Sequence, residues 1–545
     1  MEIVSLVQPE MVWRRYNGIE ADRSILKSSN PLQQLIRQEK SMTMGKCPFL
    51  RISLLIAAAV GLISCSLVRP YKGDTWDEKQ AKYVILMIGD GMGGWHVDAT
   101  RKYLGCRLLA MESLRHQGYM TTFMRESVRE GTMPAEYWDD TTVIGSYDPA
   151  QGGRTPWEMI PSPEYVQEAA TDSAAAAGAM ASGHKQPKYA LNVVPKALGY
   201  DGDSPFSIKY YPTIVTFAEA LGKATGLVTS VPFNHATPAG FVVRTPFRKN
   251  QGEKARQMVY SDVDVIMGAG HPCYDHNGRP RVCDYSLWSE NESAYLDDED
   301  GKALYEKVKH NFKGRRYIEE VDDFTDLADG DGLYKGRAMP CRVFGVAQVE
   351  NTLQYHRNTL GLYDRDPSDD WRVGGQAYIP NVPTLEVMAK AALEVLEQDE
   401  DGFFLMVEGG AIDWASHESN MTRMLEENID FDHAVQAVID WVEDTSNGSN
   451  WQNTLVIVTA DHECGQLQPV GHVTGDEVIN NQCWGIDCQK WGEHTNSLVP
   501  VYAQGPGAES LRARFNGDYR DNTDIFRTMY RATYGDGPMM SGADP

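Results

Sequence analysis

The sequence predicts an α/β protein with a mostly parallel central sheet, helices on both faces and an inserted irregular lobe. Three observations predict it. Four short apolar runs recur along the chain, each followed by a turn and then by side chains of the type that bind metals. Continuous apolar runs of this length read as strands covered on both faces, as in parallel sheets. Helix-patterned stretches such as 385–397 and 429–443 separate them, and strand alternating with helix marks an α/β sheet. Only the stretch from about 251 to 380 lacks this rhythm, being rich in Asp, Gly, Tyr and Arg. It reads as an insertion or small lobe lying mostly outside the sheet.

The first segment is an address. Lys46 and Arg51 precede the apolar run Ile52 to Ile63, which leads into Ser64-Cys65. A basic start, a short apolar run and small residues before a Cys form the pattern of a secretory signal. The pattern also resembles a bacterial lipoprotein box, which implies cleavage before Cys65 and lipid on that residue. Residues 1–43 fit no such segment and read as an over-long start, so the leader divides into 1–43 and 44–65. The main domain is then 66–545. The expected location is outside the cytoplasm, periplasmic or at the cell surface, anchored to a bacterial membrane through Cys65.

The first strand, Tyr83 to Ile88, runs into Gly89-Asp90-Gly91-Met92-Gly93. Next, Thr171-Asp172-Ser173 heads a stretch made almost wholly of Ala, Gly, Ser and Met, which reads as a low-bulk helix with a Ser or Asp cap. The second strand, Gly226 to Ser230, precedes Asn234-His235-Ala236-Thr237-Pro238. The third, Phe403 to Val407, precedes Glu408, Asp413, Trp414 and His417. The fourth, Leu455 to Thr459, precedes Asp461-His462-Glu463, and His494 stands before a last strand, Leu498 to Ala503. Ligands of open α/β sheets gather beyond the C-terminal ends of the strands. Four motifs far apart in sequence should therefore meet at one edge.

Charge and cysteines narrow the partners. With 51 Lys and Arg against 76 Asp and Glu, the chain carries a formal charge of −25. That excludes a nucleic-acid backbone as partner and suits cations. Nine cysteines occur. In an oxidising compartment the short loops between Cys273 and Cys283 and between Cys483 and Cys488 make each pair a candidate disulfide. Cys106, Cys341 and Cys464 are left over.

Asp90, Thr237, Glu408, Asp413, His417, Asp461, His462 and His494 form a candidate ligand set. Carboxylates mixed with imidazoles suit zinc, and carboxylates with a hydroxyl suit magnesium. Asp413 and His417 are four apart, which places both on one helical face. Ser173 acquires a use beside such ions. A serine hydroxyl is a weak nucleophile until a base or metal helps it lose its proton, and a helix N-terminus favours an incoming anion.

The set GDGMG, TDSAAAA, HATPAG, VEGGAIDWASHE, TADHE and EHTNS, in this order, resembles the alkaline phosphatases, with VIMGAG (265–270) and FGVAQ (344–348) adding to the match. The resemblance runs from about Lys82 to Gly505 and implies hydrolysis of phosphate monoesters through a phosphoserine on Ser173. It further implies one zinc on Asp413, His417 and His494, with His472 as the alternative to His494. A second zinc falls to Asp90, Asp461 and His462. A magnesium would be shared by Asp90, Thr237 and Glu408. Arg248 falls where the family keeps a phosphate-clamping arginine, with Arg244 as the nearby competitor; a guanidinium grips two phosphate oxygens in a planar fork. His235 and Trp414 stand at substrate-side positions where the best-known bacterial pattern has Asp and Lys, which puts a direct lysine contact to phosphate in doubt. The family also implies a homodimer. Phosphodiesterases and sulfatases share this metal core. Glu408 with Thr237, and Arg248, argue for monoesters, and TDSAAAA is no sulfatase motif. The remaining alternative is a non-catalytic, lipid-anchored protein binding metal or phosphate at the surface.

Overall fold

A computed structural model describes residues 80–125, 147–168, 170–193, 210–289, 299–357, 377–469, 482–485, 490–512 and 519–535. The leader, His472 and Cys488 lie outside the described residues. Among those described, no helix is long and apolar enough to cross a membrane.

Ten strands make one sheet. In chain order they are β1 (Tyr83–Gly89), β2 (His116–Thr121), β3 (Ala224–Pro232), β4 (Val265–Ala269), β5 (Arg316–Ile318), β6 (Val343–Val346), β7 (Phe403–Gly409) and β8 (Thr454–Thr459). After a two-stranded ribbon of β9 (Glu463–Cys464) and β10 (His494–Thr495) come β11 (Val499–Gln504) and β12 (Arg520–Asp521). The sheet order is β12-β2-β11-β8-β1-β7-β3-β4-β6-β5. Only the β8–β11 and β11–β2 pairs are antiparallel. Every residue of β1, β3, β7 and β8 is buried. Successive strand residues face opposite sides, so helices and loops must cover both faces of the sheet centre. This is the expected architecture.

The 251–380 stretch departs from expectation in one respect. Rather than lying mostly outside the sheet, it supplies β4, β5 and β6, which form one edge. Its strands were obscured because each is short and the connections between them are long and polar, carrying helices at Glu299–Lys309 and Val321–Ala328 as well as loops. One such loop is closed by a Cys273–Cys283 disulfide, as its spacing predicts. Cys341, expected to be left over, is disulfide-bonded, as is Cys483, while Cys106 and Cys464 are free thiols.

Helix α1 (Ser173–Ser182) is buried along its whole length. Its small side chains make that possible. A Cβ added at Gly240, just past the short helix α2 (Ala236–Ala239), would stand 2.6 Å from the Ala177 Cβ. Two helices this close leave room for little more than Ala and Gly. Helix α3 (Leu385–Leu396) is capped by the Thr384 side chain, and α4 (Ala411–His417) follows β7 directly.

Helix α5 (Met421–Glu443) begins eight residues before the predicted 429. Its first turns hide their polarity inside the protein. Asn420 caps it by accepting from the Arg423 N–H, and Glu426 accepts from Arg357 at 2.7 Å and Arg423 at 2.6 Å. Beside this pair, burial first and the Asp430 charge second push the Glu427 carboxyl up to about 8. A raised carboxyl pKa binds the proton more tightly when folded, so stability falls as pH rises from the unfolded value towards about 8. Glu427→Gln is therefore expected to stabilise the fold by about 2 kcal/mol at pH 9 and by little at pH 5. Thermal melts at the two pH values check this, and an equal shift at both would refute it.

Candidate active site and metal centre

The register of the central strands builds the site. Ile88 of β1 lies level with Glu408 of β7 and Thr459 of β8, and Glu408 lies level with Thr229 of β3. β1, β7 and β8 thus end together, and β3 runs on past them to Pro232. Glu408, expected just after its strand, is part of β7. Asp90 leaves β1 into a turn at Gly91, whose φ of 74° suits glycine. A side chain there would also meet the Asp413 Cα at 2.9 Å, so the turn packs directly on α4. The Gly91 N–H donates to Asp461 at 3.1 Å and ties the first motif to the last.

Three groups of potential ligands result: Asp413, His417, Cys464 and His494; Asp90, Asp461 and His462; and Asp90, His235 and Glu408. All eight predicted ligands are brought to this edge. In the first group, Asp413 lies 3.3 Å from His417 Nε2 and from His494 Nε2, and those two nitrogens face each other at 3.1 Å. The other ring nitrogen of each histidine is engaged by a backbone carbonyl: His417 Nδ1 by Gly492 and His494 Nδ1 by Thr171. Donation to those carbonyls orients each ring and turns both Nε2 atoms towards one place. Burial works against charge here, yet Asp413 lifts His417 to about 9, and the two histidines hold the Asp413 carboxyl well below its usual range.

In the second group, His462 Nε2 stands 3.1 Å from Asp461, 3.5 Å from Asp90 and 3.3 Å from the Ser173 hydroxyl. Burial pulls His462 well below its ordinary value, so it stays neutral. Burial, then the charges of Asp461, Asp413 and Glu408, pushes the Asp90 carboxyl up. In the third group, Thr229 donates to Glu408 at 2.5 Å. Burial lifts Glu408 to about 7. Thr237 stands beside Glu408, but its hydroxyl completes no hydrogen bond among the described residues. Both Asp90 oxygens, Glu408 Oε1 and Asp461 Oδ2 are buried in the same condition. Orphaned carboxylate oxygens are costly, and cations resolve them. The donors fit divalent metals: imidazole and carboxylate in the first two groups, and in the third the Asp90 and Glu408 carboxylates, with the His235 ring and the Thr237 hydroxyl beside them.

Ser173 is the first residue of α1, and the cap is Asp172. That carboxylate accepts from the Ala174, Ala175 and Tyr189 amides and pairs with Arg248 Nη1 at 2.9 Å. Arg248 Nη2 donates to His235 Nε2 at 3.3 Å. His235 in turn packs edge-on against Trp414, ring centroids 5.6 Å apart. The predicted substrate-side residues Arg248, His235 and Trp414 therefore line one cavity with Ser173, Asp413, His417 and His494. Arg244 contacts Tyr210 and Gln257 instead and is not in that lining.

Behind the ligands, His96 accepts from the Gly93 N–H at 3.1 Å, and its Nε2 meets Ser416 of α4 at 3.1 Å. Glu463 accepts from the Thr495 hydroxyl and bridges β9 to β10, which carries His494. The sequence offers Asp172 only as one of two possible caps and Cys464 only as a left-over cysteine, and it does not mark Thr229. Asp172 had a signal, an acidic residue immediately before a helix start. Thr229 lies inside an apolar strand and had none.

A family model described as alkaline phosphatase matches residues 162–487. The alkaline phosphatase of Escherichia coli (strain K12) is 27% identical over 497 residues, covering 84% of this chain and 87% of its own. The structure of alkaline phosphatase from the Antarctic bacterium TAB5 shares the fold, with a TM-score of 0.53 and 22% identity over 83% of this chain and 98% of that one. A mutant of that enzyme, solved with magnesium bound in its M3 site, aligns with a TM-score of 0.51 and 21% identity over the same shares.

Proposed function

From the premise that this chain belongs to the alkaline phosphatase family and is a metal-dependent phosphomonoesterase, we propose that it cleaves monoesters through a phosphoserine on Ser173, at two zinc ions and one magnesium. The observation that carries this reading is the convergence of the ligand groups on the Ser173 hydroxyl, 3.3 Å from His462 Nε2. Asp413, His417 and His494 would hold one zinc, Asp90, Asp461 and His462 the second, and Asp90, Thr237 and Glu408 the magnesium. When bound, such ions lower the pKa of the attacking hydroxyl or water and neutralise developing charge on oxygen.

The chain's own residues do the rest. Asp172 holds the α1 start and so fixes the direction of the Ser173 Oγ. Arg248, steadied by Asp172 and by its own N–H donated to the Tyr189 carbonyl, offers its guanidinium to phosphate oxygens. Ser173 forms a bond to phosphorus as the ester's alcohol leaves with its oxygen. Water then cleaves the phosphoserine, releasing phosphate and restoring the hydroxyl. The leader pattern supports an exported enzyme with lipid on Cys65, the 66–545 span as its catalytic domain, and the family supports a homodimer.

The test is hydrolysis of a chromogenic phosphomonoester against the matching diester, with and without chelator. Monoester turnover at least about 10²-fold above diester turnover, lost on chelation and restored by zinc plus magnesium, is expected. Preference for the diester would establish a phosphodiesterase, and no turnover of either would leave a binding protein.

A further inference from the structure

The cavity above Ser173 encloses about 310 Å³. Its lining extends beyond Ser173, Arg248 and the ligand cluster, the groups a bound phosphate would face. One wall is the ligand cluster with Ser173 and Arg248. The other is formed by Tyr355, His356, Trp414 and Glu418.

That second wall is aromatic and firmly built. Trp414 and His356 ring centroids are 5.3 Å apart, and His356 and Tyr355 centroids 4.7 Å. Leu353, two residues before Tyr355, donates its N–H to Ser230 of β3 at 2.9 Å, and the His356 N–H donates to the Thr352 hydroxyl at 3.0 Å. Arg357 pairs with buried Glu426 of α5 at 2.7 Å. The segment is thus fixed to the sheet on one side and to a helix on the other. His356 Nδ1 is buried without a hydrogen-bond partner among the described residues. Glu418, exposed at the mouth, supplies a carboxylate to this wall.

Resting on the monoesterase reading, we infer that Tyr355, His356 and Trp414 bind the alcohol portion of the substrate, which is a planar aromatic group with a cationic or hydrogen-bond-donating end directed at Glu418. Stacked or edge-on rings select an aromatic partner over a flexible polyol of similar size. A carboxylate at the mouth favours a cation and repels a second anion, as does the chain's net charge of −25.

The test uses the metal-loaded full-length protein and three esters: phenyl phosphate, O-phosphotyramine and glycerol 2-phosphate. The ratio of kcat/KM for phenyl phosphate to that for glycerol 2-phosphate should fall about fivefold in His356→Ala, and be largely restored in His356→Phe. In Glu418→Gln the ratio of O-phosphotyramine to phenyl phosphate should fall about fivefold. Unchanged ratios in His356→Ala and Glu418→Gln would overturn the inference while leaving the phosphatase reading intact. Failure of the parent protein to hydrolyse any of the three would overturn both. Restoration by His356→Phe separates loss of an aromatic face from a general packing defect.

Discussion

Ser173→Ala is expected to lower kcat for monoester hydrolysis by about 10⁴-fold or more while leaving the protein folded and its metals bound. The structure separates these outcomes cleanly. Ser173 opens a helix that is already mostly alanine, and the cap that satisfies its first amides is Asp172. Removing the hydroxyl therefore costs no cap and opens almost no space. It does remove the oxygen that stands beside His462 Nε2 and lines the cavity with Arg248. Acid-quenched turnover followed by peptide mass analysis should find phosphate on the peptide containing residue 173 in the parent and none in the variant. Retention of more than a tenth of the parent rate would rule out Ser173 as nucleophile.

The second large effect is expected from Asp90→Asn. Among the described residues, Asp90 belongs to two of the three ligand groups, and both of its oxygens are buried without hydrogen-bond partners. A carboxylate shared in this way supplies charge to two sites at once, so an isosteric amide should weaken both. Elemental analysis should find the occupancy of two metals reduced. His417→Ala, which touches one group only, should reduce one. Loss of kcat/KM by about 10³-fold is expected for Asp90→Asn. Unaltered metal content in purified Asp90→Asn protein would sink the shared-ligand assignment.

Much of this site was legible because its chemistry is concentrated at strand ends. Apolar runs such as 83–88 and 455–459 announce strands, and carboxylates and imidazoles immediately after them have few structural reasons to cluster. His494 was harder, because it precedes its sheet strand; a two-residue ribbon with Cys464 places it, and pairing that short leaves no periodic trace. The edge strands β4, β5 and β6 were obscured by long polar connections. The early turns of α5 were hidden because Arg423, Glu426 and Glu427 look solvent-facing, and the buried partner of Glu426, Arg357, lies far away in sequence. Tyr355 and His356 gave no pattern at all, since their meaning depends on a cavity the sequence does not display.

The place of β1 in the sheet bears on how the protein is made. This strand is the earliest of the ten in the chain, yet it lies between β7 and β8, and the turn that follows it is tied to Asp461, 370 residues downstream. During synthesis its wholly apolar face pair must wait for nearly the whole polypeptide before it can be covered. Closure over so long a loop is slow and leaves an aggregation-prone segment exposed in the interval. Chains truncated before residue 454 lack one of its two neighbours altogether. Such fragments should accumulate as insoluble material or be degraded, and a partly translated chain has no assembled centre with which to capture metal prematurely.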